Sequence, residues 1–120
     1  MGKISTQKKD FEDIEACWET ILFEIGKEGK DIEICSLQPR GETKYFHARK
    51  RRNKIIVDVA REHTKSSDIS TERSIDLSEF ECVAGLYNDY ISGLKGIRSE
   101  MRDNCGQNSS YLISLIDRFL

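Results

Sequence analysis

The spacing of hydrophobic residues changes twice along the chain, and this change most constrains the fold. Between Phe11 and Ile25 the large apolar residues recur every three or four positions, which is the spacing of one helical face. From Asp31 to Ala60, β-branched and aromatic residues recur in short alternating runs that are typical of strands. After Ser78 the helical spacing returns. The order of helix, strands and helices therefore predicts an α+β fold.

Three extended runs are predicted between the first two helices. They cover residues 31–37, 43–50 and 54–60, and Arg51-Arg52-Asn53 forms the turn between the last two. Short connections of this kind join neighbouring antiparallel strands. We therefore expect an N-terminal helix, a three-stranded antiparallel meander, and two or three C-terminal helices packed on one sheet face. The whole chain, residues 1–120, is expected to form a single domain.

The C-terminal half contains two strong helical patterns. One starts near Ser78, where Glu81 three residues later completes a capping-box pattern, and it ends at Gly93. The other starts near Asn108 or Ser109, and a short helix is predicted before it over residues 97–104. Residues 61–73 are polar and have no regular hydrophobic spacing, so they are predicted to form an exposed connection.

Positive charge is concentrated in residues 44–54, which read KYFHARKRRNK and contain six cations and no acid. The chain as a whole has 19 basic and 21 acidic residues, so this run suggests a localised anion-binding edge. The candidates for anion or nucleic-acid binding are these cations and two neighbouring rings: Lys44, Arg49, Lys50, Arg51, Arg52, Lys54, Tyr45 and His47. The alternative is that cations at a hairpin tip only prevent pairing with other strands.

Residues 98–115 fit the spacing of a DNA-binding helix-turn-helix. Gly106 would occupy the turn, and Leu112 and Leu115 would anchor the second helix. The motif would be degenerate, because Arg102 stands where the two helices need a small residue. An ordinary helix pair is the alternative. The polar residues that would face a DNA groove are Gln107, Asn108, Ser109 and Ser110.

Strict alternation along the predicted strands places apolar side chains on both sheet faces. A second copy of the chain would remove the uncovered face from water, so a homodimer is the expected assembly. The alternative is a slip of strand register, which would exchange the two faces. The residues predicted to form the oligomer interface are Leu37, Phe46, Ala48 and Ile56.

Several other classes of site and location are not indicated. The four cysteines lack the spacing of metal ligands or redox pairs, so we expect four unpaired thiols, no metal and no cofactor. No apolar run approaches the roughly 20 residues of a membrane span, and the first ten residues do not resemble a signal peptide. We therefore expect no membrane contact and a cytoplasmic location. No nucleophile or phosphate-loop pattern is present, so no enzyme is predicted.

Two functions are compatible with these patterns. The first is a small non-enzymatic binding module that forms a homodimer and engages a partner protein. The alternative is a nucleic-acid-binding regulator that uses the basic hairpin 44–54 and the degenerate helix-turn-helix at 98–115. The two functions can be distinguished by how binding depends on salt concentration. Binding to phosphates weakens steeply as salt rises, whereas binding through an apolar interface does not.

Overall fold

The computed structural model describes residues 2–39, 41–63 and 71–120. In chain order the elements are β1 (Gly2–Lys3), α1 (Ile14–Ile25), β2 (Lys30–Glu33), β3 (Cys35–Ser36), β4 (Tyr45–Arg51), β5 (Lys54–Val59), β6 (Arg73–Ile75), α2 (Leu77–Ile91), α3 (Ile97–Cys105) and α4 (Ser109–Phe119). The predicted α+β class and the order of helix, strands and helices are confirmed. The Cα radius of gyration is 13.2 Å, close to the about 14 Å expected for a compact chain of this length.

A four-stranded antiparallel sheet with the order β2-β4-β5-β6 forms one layer of the fold. Its first three strands are those of the predicted meander. The fourth strand, β6, was not predicted, and it pairs Ile75 with Ile55 of β5. The strands β1 and β3 form a separate parallel pair. Strands as short as these carry too few residues for a recognisable alternation.

Acidic residues define the starts of the two longest helices. The Asp13 carboxylate accepts a hydrogen bond from the Ala16 backbone N–H at 3.1 Å and caps α1. Asp76 forms a capping box with Glu79 at the start of α2. The box predicted at Ser78 was therefore placed two residues too late. Aspartate caps a helix as well as serine does, so both positions fitted the pattern.

The helices cover one face of the sheet, and Trp18 of α1 lies in the core between these layers. Its side chain is 2% exposed, and its Nε1 donates a hydrogen bond to the Asn53 carbonyl oxygen at 3.1 Å. The indole ring also lies 5.4 Å from the ring of Phe80 in α2. Trp18 therefore connects α1 both to the β4–β5 hairpin and to α2, and the apolar spacing of α1 predicted only that it lies on the buried face of that helix.

The face assigned to β4 from the sequence was wrong. Phe46 and Ala48 are completely buried and share the helix-covered face with Ile32, because Phe46 pairs with Ile32 across the strands. Of the four predicted interface residues, only Ile56 points to the opposite face. Leu37 lies after β3, half-buried against the core. We call the opposite face the open face, and it carries Asp31, Glu33, Tyr45, His47, Arg49, Arg51, Ile56 and Asp58.

The helix α4 lies in the centre of the helical layer. Six consecutive residues from Tyr111 to Ile116 are buried, and α4 contacts the other three helices as well as β2 and β3. The Ser114 hydroxyl within it accepts a hydrogen bond from the Cys35 backbone N–H at 3.0 Å. Among the described residues, no helix is both long enough and apolar enough to cross a membrane.

A disulfide joins Cys82 of α2 to Cys105 of α3. The prediction that these two thiols are unpaired was therefore wrong, whereas Cys17 and Cys35 are free. The two bonded residues are 23 positions apart in the sequence. They meet because α3 folds back against α2, a tertiary contact that cysteine spacing does not reveal.

Candidate anion-binding surface

The basic run forms the end of the β4–β5 hairpin. Arg51 pairs with Lys54, so Arg52 and Asn53 form a two-residue turn. Arg52 has φ of 58° and is the one non-glycine residue with positive φ in the described part of the chain. Tight turns of this length need positive φ, which glycine and asparagine adopt most easily. The hydrogen bond from Trp18 to Asn53 fixes the turn against α1.

The turn after α1 brings a further cation to the hairpin. The Lys50 backbone N–H donates to the Gly26 carbonyl oxygen at 2.7 Å. Gly26 has φ of 67° and ends α1, so the chain turns there and places Lys27 beside Lys50. Nothing in the local sequence marks Lys27 as a member of this site, because it depends on how α1 docks on β4.

Two surface grooves flank the hairpin tip, and Arg51 and Arg52 line both of them. One groove has a volume of ≈ 520 Å³, and the other has a volume of ≈ 580 Å³. Glu72 is the one carboxylate among the residues that line them. We call the seven cations that line these grooves the basic surface: Lys27, Arg49, Lys50, Arg51, Arg52, Lys54 and Arg73.

Glu72 bridges two arginines of the basic surface. Its Oε2 lies 2.8 Å from Arg49 Nη2, and its Oε1 lies 3.6 Å from Arg51 Nη1. Asp58 Oδ2 lies 3.7 Å from Arg49 Nη1, beyond hydrogen-bonding distance. Among the described residues, none forms an ion pair with the other cations of the surface. Lys54 nevertheless helps to lower the pKa of Asp76 by its charge, and the Arg73 guanidinium lies 5.8 Å from the centroid of the Tyr111 ring.

Three of the predicted anion-binding residues lie elsewhere. Lys44 precedes β4 at the end remote from the hairpin tip, and its carbonyl oxygen accepts from the Ile34 backbone N–H at 2.8 Å. Tyr45 and His47 also occupy the first half of β4. At about 3.4 Å per residue, Tyr45 is roughly 20 Å along the strand from Arg51. The structure therefore separates Lys44 and Tyr45 from the cations at the hairpin tip, whereas His47 lies two positions, about 7 Å, before Arg49 on the same face.

His47 belongs to a second cluster, built around the buried carboxylate of Asp31. The Asp31 side chain is 5% exposed, and its oxygens lie 3.1 Å from His47 Nδ1 and 2.9 Å from His63 Nδ1. The backbone N–H groups of residues 61–63 donate to the same carboxylate at 2.8 to 3.1 Å. Burial raises the pKa of Asp31, but the hydrogen bonds outweigh it and hold this pKa well below its usual range.

The surroundings of the two histidines explain their different exposure. His47 Nε2 lies 2.9 Å from the Glu28 carbonyl oxygen, so both of its ring nitrogens are engaged. Gly29 has φ of 81°, and a Cβ there would lie 2.5 Å from His47 Nε2. The His63 side chain is 44% exposed, and its ring stacks on Tyr45 with centroids 3.9 Å apart. A groove of ≈ 310 Å³ opens beside this cluster.

The chemistry of the Asp31 cluster is mainly that of a structural clamp. Because an ionised carboxylate only accepts hydrogen bonds, Nδ1 of His63 carries its proton and Nε2 is left for solvent or a ligand. No nucleophilic side chain is hydrogen-bonded to this imidazole within the described residues. No group of three His, Cys, Asp or Glu residues in the described ranges could hold a metal ion.

The polar residues before and in α4 do not form an exposed groove-facing set. Ser109 is 1% exposed and accepts a hydrogen bond from Arg98 Nη1 at 3.0 Å. Asn108 Nδ2 donates to Glu79 Oε1 at 2.9 Å. Gln107 is exposed, and Ser110 is half-buried. A recognition helix needs one free face, and α4 lacks one because other elements surround it.

Comparison with known proteins finds no matching family model, no matching curated protein and no matching solved structure.

Proposed function

We propose that this protein is a non-enzymatic binding protein that holds single-stranded nucleic acid by its phosphates, and that the basic surface is the contact. The observation that carries the proposal is the pair of adjoining grooves that share Arg51 and Arg52. Phosphate oxygens accept several charge-assisted hydrogen bonds at once. Seven cations around one hairpin tip supply donors to more than one phosphate.

The distribution of charge supports a single binding orientation. Outside the basic surface the chain has 12 basic residues, which is 19 less seven, against 21 acidic residues. A polyanion is repelled by this acidic remainder and attracted to the tip, so the field of the protein orients the encounter.

The preference for single strands rests on Phe23. Its side chain is 82% exposed on α1, and it precedes Lys27 of the basic surface by four residues. An exposed aromatic ring on the helix that precedes Lys27 offers a stacking surface for an unpaired base, and such stacking is tolerant of sequence. Bases within a duplex are already stacked and cannot use this ring.

The test is a titration of a fluorescently labelled single-stranded oligonucleotide with the protein, followed by anisotropy. With about four phosphate contacts, affinity should fall on the order of 50-fold between about 50 and 200 mM salt. The variant Lys50→Gln/Arg52→Gln/Lys54→Gln should lose most of the binding. The matched control Lys3→Gln/Lys8→Gln/Lys9→Gln removes the same charge elsewhere and should retain it. Equal losses in the two variants, or no binding at the lowest salt, would refute the proposal.

A homodimer that binds a partner protein remains a separate proposal with less support. The homodimer prediction depends on apolar residues on the open face, whereas Phe46 and Ala48 lie on the helix-covered face of the sheet. A cytoplasmic location remains a proposal as well, and access to nucleic acid supports it. The Cys82–Cys105 disulfide argues for an oxidising compartment instead.

A further inference from the structure

We propose that Arg49 and Arg51 form the core phosphate site of the basic surface, and that Glu72 occupies this site until a nucleic-acid phosphate displaces it. The inference rests on the proposed function and adds which residues bind the phosphate and what competes with it. The Glu72 carboxylate contacts Arg49 at 2.8 Å and Arg51 at 3.6 Å. Carboxylate and phosphate oxygens are bound by guanidinium groups in the same manner. Glu72 Oε2, which accepts a hydrogen bond from Arg49, therefore marks where one phosphate oxygen binds, and Oε1 lies within ion-pair distance of Arg51.

The strand geometry holds the two arginines ready for one anion. Arg49 and Arg51 are two positions apart on β4, so they project from the same face at a separation of about 7 Å along the strand. Arg49 pairs with Ile56 and Arg51 with Lys54 in β5. The backbone of the site is therefore fixed before the ligand arrives, and little backbone conformational entropy is lost on binding.

Arg49 also has a donor that Glu72 does not satisfy. Its Nη1 is buried and has no hydrogen-bond partner among the described residues, since Asp58 lies 3.7 Å away. A buried donor without a partner is unfavourable. A phosphate group presents more acceptor oxygens than a carboxylate, so it can satisfy Nη1 while it replaces Glu72 at Nη2.

Glu72 can be displaced at low cost. Its side chain is 46% exposed, and exposed ion pairs contribute little to stability, about 0–1 kcal/mol. A ligand that brings one phosphate gains little by replacing one anion with another. A ligand that brings several phosphates also engages Lys50, Arg52 and Lys54, so Glu72 makes the site selective for polyanions over single phosphates.

The experiment compares two acid-to-amide variants in the oligonucleotide titration. Glu72→Gln should bind on the order of three- to tenfold more tightly than the unaltered protein, because it removes the competing carboxylate. Glu62→Gln makes the same change of charge at an exposed carboxylate outside the basic surface, and it should change affinity by less than about twofold. Inorganic phosphate should compete poorly with the oligonucleotide for the unaltered protein and more effectively for Glu72→Gln.

A double-mutant cycle assigns the effect to the arginines. Arg49→Gln should weaken oligonucleotide binding, and the gain from Glu72→Gln should disappear in that background. A gain that persists in the Arg49→Gln background would overturn the inference, and so would equal effects of Glu72→Gln and Glu62→Gln. In either case, salt-sensitive binding by the unaltered protein would still support the proposed function. Should Arg49→Gln fail to fold, as judged by circular dichroism, Arg51→Gln provides the same test. Absence of binding by every protein would overturn the inference along with the proposed function.

Discussion

One carboxylate oxygen of Asp31 holds both the main chain and the side chain of His63. Oδ2 accepts from the His63 backbone N–H at 3.0 Å and lies 2.9 Å from Nδ1 of the same residue. The other oxygen, Oδ1, contacts His47 of β4. The segment after β5 is thus fastened to β2 and β4 by a single buried group. The attachment of this segment should therefore depend on the negative charge of the Asp31 carboxylate.

Replacing Asp31 with asparagine should destabilise the fold by about 3–5 kcal/mol. Asparagine keeps the size of the side chain but turns an NH₂ group towards N–H donors that need an acceptor. The measurement is the free energy of unfolding by denaturant. Asp58→Asn is the control, because Asp58 lies on the same face in an exposed ion pair and should cost less than about 1 kcal/mol. Similar costs for the two variants would show that the cluster is not a clamp.

The pH dependence of stability follows from the lowered pKa of Asp31. The folded-state pKa lies below the unfolded value of about 3.9, so the stabilisation is fully present above that value. It is lost as the pH falls from about 5 towards the folded-state pKa, because the unfolded chain takes up the proton first. The free energy of unfolding should therefore fall more steeply with acidification in the unaltered protein than in Asp31→Asn. Parallel curves would contradict this.

The segments of this fold could be predicted, but the face of β4 could not. Helical spacing and alternation mark α1, α2 and the three meander strands. In β4, however, Phe46, His47 and Ala48 are all buried, so burial does not alternate there. His47 is buried on the open face because Asp31, the Glu28 carbonyl oxygen and Gly29 lie against its ring, and residues 61–63 are hydrogen-bonded to the same Asp31 carboxylate. Because this polar cluster is built from three separate segments, β4 lacks the alternation of buried and exposed residues from which the buried face of a strand is predicted.

The same limit applies to the candidate site. The cations of the hairpin could be predicted because they are consecutive. Lys27, Glu72 and Arg73 join them only through the docking of α1 and the pairing of β6. The disulfide likewise depends on how α3 packs on α2. To predict contacts between distant segments, the register of the strands or the docking angle of the helices must be known. Neither of these leaves a local pattern in a single sequence.

Phe46→Asp should unfold the protein rather than dissociate a dimer. The Phe46 ring is completely buried and lies 5.0 Å from the ring of Tyr111 in α4. Even Phe46→Ala should cost about 3–5 kcal/mol, and an unpaired buried charge costs more. Circular dichroism and light scattering distinguish the outcomes. Val59→Asp, at a residue that is 46% exposed, should stay folded. If the Phe46→Asp protein were folded and monomeric, the result would support the predicted oligomer interface at Phe46.

Oxidised protein should contain two free thiols. Alkylation in denaturant without a reductant should modify Cys17 and Cys35 and leave Cys82 and Cys105 unmodified, as read by mass. The variant Cys82→Ser/Cys105→Ser should lose about 3 kcal/mol, because the bond closes a loop across 23 positions and restricts the unfolded chain. Cys17→Ser, which changes a free thiol, should have little effect. Four modified thiols would show that the bond does not form.

The conformation of Arg52 separates its role in folding from its role in binding. An arginine with φ of 58° occupies a position that glycine adopts without strain, and the left-handed region costs other residues about 1–2 kcal/mol. Arg52→Gly should therefore leave stability unchanged or raise it by about 1 kcal/mol. It should nevertheless weaken oligonucleotide binding and lower the salt slope by about 0.7, the share of one phosphate contact on a single strand.

Arg52→Asn is the matched variant, because asparagine also tolerates positive φ and has no charge. Unfolding by denaturant and anisotropy titrations at several salt concentrations measure the two effects on the same samples. Unaltered affinity in both variants would show that Arg52 makes no phosphate contact.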